Sequence, residues 1–248
     1  MHERSGCAAL ILAAGQGTRM KSDLAKVLHP IAGTSMIRWV LRTVQAVSPT
    51  LVVMVIGYQA EDVRRELEGE RVEFVLQTER LGTGHAVLAA EKSFMDFTGT
   101  IVVLNGDTPL LTSATLERFI EFHRERSESA TVLSAEIDDP TGYGRIVRDE
   151  RGDLVRITEH KDASDDMRSI REISSGLFCF ESADLFGALR KVGRRNAQGE
   201  YYLTDVMEIL KRDGKRVGVC LCDQRDEVLG INTVEQLRAA ERLMTAHG

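Results

Sequence analysis

Residues 8–26 read AALILAAGQGTRMKSDLAK, and the start of this stretch limits the fold more than any other feature. Ala8 to Ala13 is a short, continuous apolar run. A strand buried on both faces of a parallel sheet carries that pattern, whereas a half-buried strand alternates. The run breaks into Gly15-Gln16-Gly17-Thr18-Arg19, with Lys26 further on. Two glycines past the carboxyl end of a strand make either a plain turn or a cradle whose N–H groups converge on phosphate oxygens. Arg19 and Lys26 bring two cations to the same mouth, and a guanidinium fork suits the geometry of phosphate.

Two familiar phosphate loops are excluded. No run of the form G-x-x-x-x-G-K-[ST] occurs, so there is no Walker A loop. The dinucleotide fingerprint needs a third small residue where Met20 stands and an acidic residue closing the second strand, where Gly57 follows Ile56 instead. A nicotinamide enzyme is not expected.

Further along, strand and helix patterns alternate. Helices are expected over 35–47, 61–67, 115–125 and from His85, with Thr83 as the cap of the last. Strands are expected over 51–56, 72–76, 100–104 and 130–137. This rhythm implies an α/β fold with a doubly wound, mainly parallel sheet and helices on both faces. After Tyr143 the rhythm breaks into a hairpin, 146–148 and 154–159, which suggests a small β-rich second lobe. A strand over 173–180, a helix of about ten residues after Asp205, a strand over 217–221 and a final helix from Thr233 follow. Thr233 and Gln236 have capping-box spacing. Trp39 is expected to pack on its helix, and Tyr201 and Tyr202 between the lobes.

Composition narrows the partners. A formal charge of −6 over 248 residues gives no electrostatic case for nucleic acid or an anionic membrane. No apolar run approaches the ~20 residues that span a bilayer, and residues 1–6 lack the apolar core of a signal peptide, so cytoplasm is the expected compartment. The four cysteines, Cys7, Cys179, Cys220 and Cys222, lack the two-residue spacing of zinc or redox motifs and read as reduced, mostly buried thiols.

Several polar groups at strand ends carry two readings each. Asp107, in Asn105-Gly106-Asp107-Thr108-Pro109-Leu110, is either a turn cap before the proline or a metal ligand placed after a buried strand. Glu159-His160-Lys161-Asp162 is either a solvated loop or a binding segment. Asn232 is either a helix cap or a ligand. His85 opens a helix and reads as structural rather than as an acid or base.

Taken together, Leu12-Ala13-Ala14-Gly15-x-Gly17-Thr18-Arg19-Met20 with Lys26, the Gln77 and Leu81-Gly82-Thr83-Gly84-His85-Ala86 segment, and Gly106-Asp107-x-Pro109-Leu110 resemble the sugar-1-phosphate nucleotidylyltransferases. So do Asp139 to Ile146, Glu159 to Asp162, Asn196 to Asp205 and Gly230-Ile231-Asn232. The nearest branch comprises the uridylyltransferase (N-terminal) domains of bacterial bifunctional N-acetylglucosamine-1-phosphate uridyltransferases / glucosamine-1-phosphate acetyltransferases. The resemblance covers essentially the whole chain.

The resemblance implies a magnesium-dependent enzyme that moves a uridylyl group from UTP to N-acetylglucosamine 1-phosphate and releases pyrophosphate. It implies Arg19 and Lys26 as catalytic cations, and Leu12, Ala14, Gly15, Gln77, Gly82 and Thr83 as nucleotide contacts. Gly144, Glu159, Ser174 and Thr204 would contact the sugar phosphate, and Asp107 and Asn232 would hold Mg²⁺. Residues 7–138 would form the nucleotide part, 139–232 the sugar part, and 233–248 a C-terminal helix. Two departures bear on the sugar. Asn105 replaces an aromatic residue common in relatives, and Ser174 stands where an asparagine usually binds the sugar, with a shorter reach and a single hydroxyl. They keep open a sister enzyme with another sugar or base; a non-catalytic nucleotide-sugar binding protein is the remaining alternative. The sequence shows no hexapeptide repeats, so the acetyltransferase activity and the β-helix trimer of full-length relatives are not expected of it; the oligomeric state stays open.

Overall fold

In the computed structural model, which describes residues 4–246, the opening apolar run lies inside strand β1 (Arg4–Ala13). Two 3-10 turns (Thr18–Met20 and Lys26–Leu28) and a short hairpin, β2 (Pro30–Ile31) with β3 (Thr34–Ser35), lead to α1 (Met36–Ala46). The alternation continues through β4 (Leu51–Ile56), α2 (Ala60–Glu66), β5 (Glu73–Leu76), α3 (Thr83–Ala89), β6 (Phe97–Asn105), α4 (Ser113–Glu125) and β7 (Ala130–Glu136). Then come β8 (Gly144–Arg148), β9 (Leu154–Thr158), α5 (Asp165–Arg168), β10 (Glu172–Glu181) and α6 (Ser182–Leu189). The last elements are α7 (Asp205–Arg212), β11 (Val217–Leu221) and α8 (Val234–Ala246); Gly248 and its neighbour, included in the expected terminal helix, lie outside the described residues.

The main sheet runs β11-β7-β10-β6-β1-β4-β5. β1 lies parallel to both β4 and β6, β5 parallel to β4, and β11 parallel to β7, while β10 runs antiparallel to β6 and β7. The sheet is thus mainly parallel, with one reversed strand. The chain leaves β1 for β4 and β5 on one side, then crosses back to β6 on the other. Loops after β1 and β6 therefore diverge and open a crevice at the strands' carboxyl ends, where open α/β sheets bind ligands.

Burial on both faces explains the continuous apolar runs. Ala8, Leu10, Val53 and Val55 join one core under α3, α6 and α7, while Ala9, Ile11, Val52 and Met54 join the other under α1, α2 and α4. Leu10 has no solvent-exposed surface, and truncating such a side chain to alanine costs about 2–5 kcal/mol. On α1, Met36, Ile37, Val40, Leu41 and Val44 form the buried stripe expected from their spacing. Trp39 packs in a small third cluster with Ile31 and Met36, its indole N–H donating to Ile31 O at 3.0 Å.

β10 forks. Its second half pairs with β6 from Phe178 to Glu181, while Ile173 and Ser174 pair with Arg145 and Gly144 of β8. The register along β7 shifts between Ser174 and Phe178. This irregularity lets the β8–β9 hairpin leave the sheet's path while staying hydrogen-bonded to β10, and a cleft opens at the fork.

Two local expectations change. Thr83 is the first helical residue and its hydroxyl makes no cap; it accepts from Leu203 N at 3.1 Å instead, while Gly82 takes the preceding position. The helix α6 was not expected: it follows the apolar strand (Leu177 to Phe180) without glycine or proline between them, and the helical spacing of Leu185, Phe186 and Leu189 after Ser182 was its signal. The cysteines are free thiols, and burial pushes each up, that of Cys220 to about 11.

Candidate active site

Beyond Ala13 the chain turns through Gly17, whose φ of 75° is left-handed. A Cβ there would lie 2.4 Å from Lys26 Cβ, so glycine is required both by conformation and by contact. Met20 is buried and anchors the turn that carries Arg19. On the far side of the loop, Ala25 N donates to Gln59 Oε1 at 2.6 Å, and Gln59 Nε2 donates to Asp23 O at 2.9 Å. The loop is therefore held between β1 and the start of α2, with Lys26 directed inward.

Lys26 is the centre of a four-group cluster. Its Nζ pairs with Asp107 Oδ2 and donates to Asn232 Oδ1 at 2.9 Å, and Arg19 Nη2 donates to the same Asn232 oxygen at 2.8 Å. Asp107 follows β6 and is buried, and its carbonyl accepts from Ile231 N at 2.9 Å. That bond brings Asn232 beside it. Asp107 Oδ1 is buried without a hydrogen-bond partner. A Cβ at Gly230 would occupy the space 3.4 Å from both carboxylate oxygens. The two readings of Asn232 separate cleanly. Thr233 and Gln236 form the capping box, with Gln236 N donating to Thr233 Oγ1 at 3.2 Å and Thr233 N to Gln236 Oε1 at 3.1 Å. The side-chain oxygen of Asn232 stays free for Lys26 and Arg19.

The crevice has two connected halves that share Leu12, Thr83 and Asn105. Leu12 and Asn105 are register partners on β1 and β6, so the halves meet at the point where strand order reverses. The first, glycine-loop half is lined by Leu12, Ala14, Gly15, Gln77, Gly82 and Thr83, together with Lys26. Its outer wall is tied to the Asn196–Asp205 segment: Gly84 N donates to Tyr201 O, and Tyr201 N to Leu81 O, both at 2.8 Å. Gly82 has φ 108°, and a Cβ on it would meet Tyr201 O at 2.6 Å. Two sequence-distant motifs thus form one wall.

The second, hairpin half is lined by Gly144, Glu159, Ser174 and Thr204, with Asn232 at its edge. Thr204 donates to Glu159 Oε1 at 3.0 Å. Burial pushes the Glu159 carboxyl up, with Asp162 and Glu200 adding to the rise against that hydrogen bond. Ser174 Oγ accepts from Gly176 N at 3.4 Å. Tyr202 is buried and donates to Asp162 Oδ2 at 3.0 Å; burial first, then Asp162, pushes its hydroxyl up to about 12.

Some lining residues escaped the sequence reading. Tyr143 lines the hairpin half, and burial followed by nearby Asp107 pushes its hydroxyl up, against a hydrogen bond with the Gly230 backbone. Arg80 and Glu200 line the glycine-loop half. Arg80 had a signal, a cation inside a glycine-bearing loop. Tyr143 lies inside the Asp139 to Ile146 segment that carries the resemblance, but its own partner, the Gly230 backbone, comes from the far end of the chain.

Residues 9–199 match the family model of the MobA-like NTP transferase domain. The bifunctional protein GlmU of Lactobacillus delbrueckii subsp. bulgaricus is 48% identical over 235 residues, covering 95% of this chain and 51% of that protein. GlmU of Streptococcus gordonii is 50% identical over 236 residues with the same coverage. The chain spans about half the length of these curated relatives. A Bacillus anthracis crystal structure, described as a glucose-1-phosphate thymidylyltransferase in complex with a sucrose, shares the fold. Its TM-score is 0.78 over 96% of this chain and 95% of that one, at 21% identity. With the strand–glycine-loop motif inside the matched span, this chain belongs to the MobA-like NTP transferase family and is a nucleotidyltransferase domain.

Proposed function

We propose that this domain transfers a uridylyl group from UTP to N-acetylglucosamine 1-phosphate, giving UDP-N-acetylglucosamine and pyrophosphate. The observation that carries the reading is the Arg19–Asn232–Lys26–Asp107 cluster. It links a residue of the glycine-loop half, Lys26, to a residue of the hairpin half, Asn232. The identity of about half to proteins named GlmU supports the choice of uridylyl donor and amino-sugar acceptor.

In this reading UTP occupies the glycine-loop half, its base against Gln77, Gly82 and Thr83 and its phosphates over Leu12, Ala14 and Gly15. The sugar phosphate occupies the hairpin half, near Gly144, Glu159, Ser174 and Thr204. An oxygen of the sugar phosphate attacks the α-phosphorus in line. The bond from that phosphorus to the bridging oxygen breaks, and its electron pair leaves with pyrophosphate. No covalent protein intermediate is needed, so catalysis is positioning and charge stabilisation. Arg19 neutralises the departing pyrophosphate and Lys26 holds the phosphates as charge shifts between them.

Asp107 and Asn232 would hold Mg²⁺. Both carry hard oxygen atoms: the unpartnered, buried Asp107 Oδ1 fits a cation that takes few protein oxygens, whereas Asn232 Oδ1 would have to exchange its hydrogen bonds from Lys26 and Arg19 for the ion. When bound, the ion supplies charge neutralisation across the phosphates of both substrates. Residues 7–138 serve as the nucleotide part and 139–232 as the sugar part. Among the described residues no helix is long and apolar enough to cross a membrane. The cytoplasm is the proposed compartment.

The test is pyrophosphate release with Mg²⁺, crossing UTP, dTTP, CTP, ATP and GTP with several sugar 1-phosphates. Turnover confined to UTP and N-acetylglucosamine 1-phosphate supports the reading. Turnover with another pair keeps the mechanism and moves the substrate. Nucleotide binding without any turnover replaces the enzyme with a binding protein.

A further inference from the structure

Gln77 is buried in the wall of the glycine-loop half, just after β5. Its amide nitrogen donates to Gly82 O at 3.4 Å and lies 3.1 Å from His85 Nδ1. A backbone carbonyl only accepts, so the amide must turn its NH₂ and not its oxygen toward Gly82. The second amide hydrogen then falls to Nδ1, and a ring nitrogen that accepts carries no proton. In that arrangement Nδ1 is the acceptor and the ring proton of His85 sits on Nε2. Both amide hydrogens are spent, and no donor among the described residues reaches Gln77 Oε1. The imidazole is itself held against Tyr201, with ring centroids 6.3 Å apart and planes inclined by 27°.

We propose that His85 is a positioning residue for base discrimination: its Nδ1 lone pair locks the Gln77 amide so that Oε1 faces the nucleobase as an acceptor. This rests on the proposed nucleotide role of the glycine-loop half. An acceptor at that point favours a base edge carrying a ring N–H, as the imide of uracil does. It disfavours cytosine, whose corresponding ring nitrogen is itself an acceptor. Were the amide free to rotate, its NH₂ would serve cytosine and the discrimination would shrink. The long Gly82 bond alone is a weak restraint on that rotation.

Two variants separate this role from simple packing. His85→Asn keeps an acceptor oxygen close to the position of Nδ1, whereas His85→Leu fills the space and removes it. Steady-state kinetics with UTP and CTP, at a fixed sugar 1-phosphate, are expected to show about a tenfold or greater loss of kcat/KM for UTP in His85→Leu. The loss should lie mainly in KM, the UTP-to-CTP preference should fall by a similar factor, and His85→Asn should restore both. Equal losses for both nucleotides, or an unchanged ratio, would overturn the proposal. Imidazole ¹⁵N chemical shifts of the intact wild-type chain give a readout that needs no variant to fold. An unprotonated Nδ1 supports the lock, and a proton on Nδ1 overturns it. A wild-type preference for dTTP over UTP would overturn the uridylyl reading. The tautomer and the ratio against the matching cytosine nucleotide would still decide the role of His85.

Discussion

Lys26 and Asn232 lie 206 positions apart in the chain, yet Lys26 Nζ donates to Asn232 Oδ1 at 2.9 Å. The lysine stands on a turn after β1 and the asparagine at the threshold of α8. The bond from Ile231 N to Asp107 O brings them together by pinning the chain's last crossing to the loop after β6. The capping box is equally necessary, because Thr233 relieves Asn232 of helix capping.

Removing the cation from this cluster is expected to stop the chemistry more than the folding. Lys26→Ala should lower kcat by about 10² or more, the usual cost of losing a preorganised charge, with a much smaller effect on nucleotide affinity. Pyrophosphate release and nucleotide titration on the same preparation measure the split. An active Lys26→Ala protein with native thermal unfolding would rule out the mechanism.

Gly17→Ala tests whether the loop's shape matters apart from its charges. The new methyl would need a left-handed backbone and would press on Lys26 Cβ at 2.4 Å. A stability loss of about 1–3 kcal/mol is expected by urea titration, since backbone strain of this kind costs that much. Turnover should fall by at least ~10-fold as Lys26 is displaced. The equivalent change at Gly187, where a Cβ meets nothing within 4 Å, is the control and should leave turnover intact.

Asp205 gives a pH signature. Burial first, then Glu208, Glu159 and Asp162, push its carboxyl from the ordinary 3.8 up to about 6. Between these values the folded chain keeps a proton that the unfolded chain releases, so stability falls as pH rises through that window. Asp205→Asn should therefore raise the thermal midpoint at pH 7.5. With allowance for solvent screening of a half-exposed group, the gain is about 1 kcal/mol, or ~2–4 °C for a chain of this size. The advantage should vanish below pH 4. An equal gain at pH 3.5 and pH 7.5 would show that the carboxylate charge is not its source.

Local patterns carried much of the architecture. The unbroken runs at Ala8–Ala13 and Leu51–Ile56 encode strands buried on both faces, because a chain cannot leave so many apolar side chains in water, and the glycine after each run marks where it must turn. The capping box at Thr233 and Gln236 and the stripe on α1 were equally legible, since their partners lie within a few residues. Contacts across the sheet were not. Nothing in the run Phe178-Cys179-Phe180 says that it reverses direction beside Val102, or that the chain after it coils into α6.

The same division holds at the cleft. The residue types suited to phosphate, metal and base at Arg19, Lys26, Gln77 and Asp107 were present in the sequence, because chemistry demands particular functional groups. Only the tertiary structure decided that Thr83 braces Leu203 rather than capping its helix, and that Gln77 turns its amide by way of His85. It also decided that Tyr143 answers to Gly230 and that Asn232 reaches Lys26. Each of these is a pairing of groups whose partners are chosen by the order of strands in the sheet, and strand order is settled by long-range burial that no local window contains.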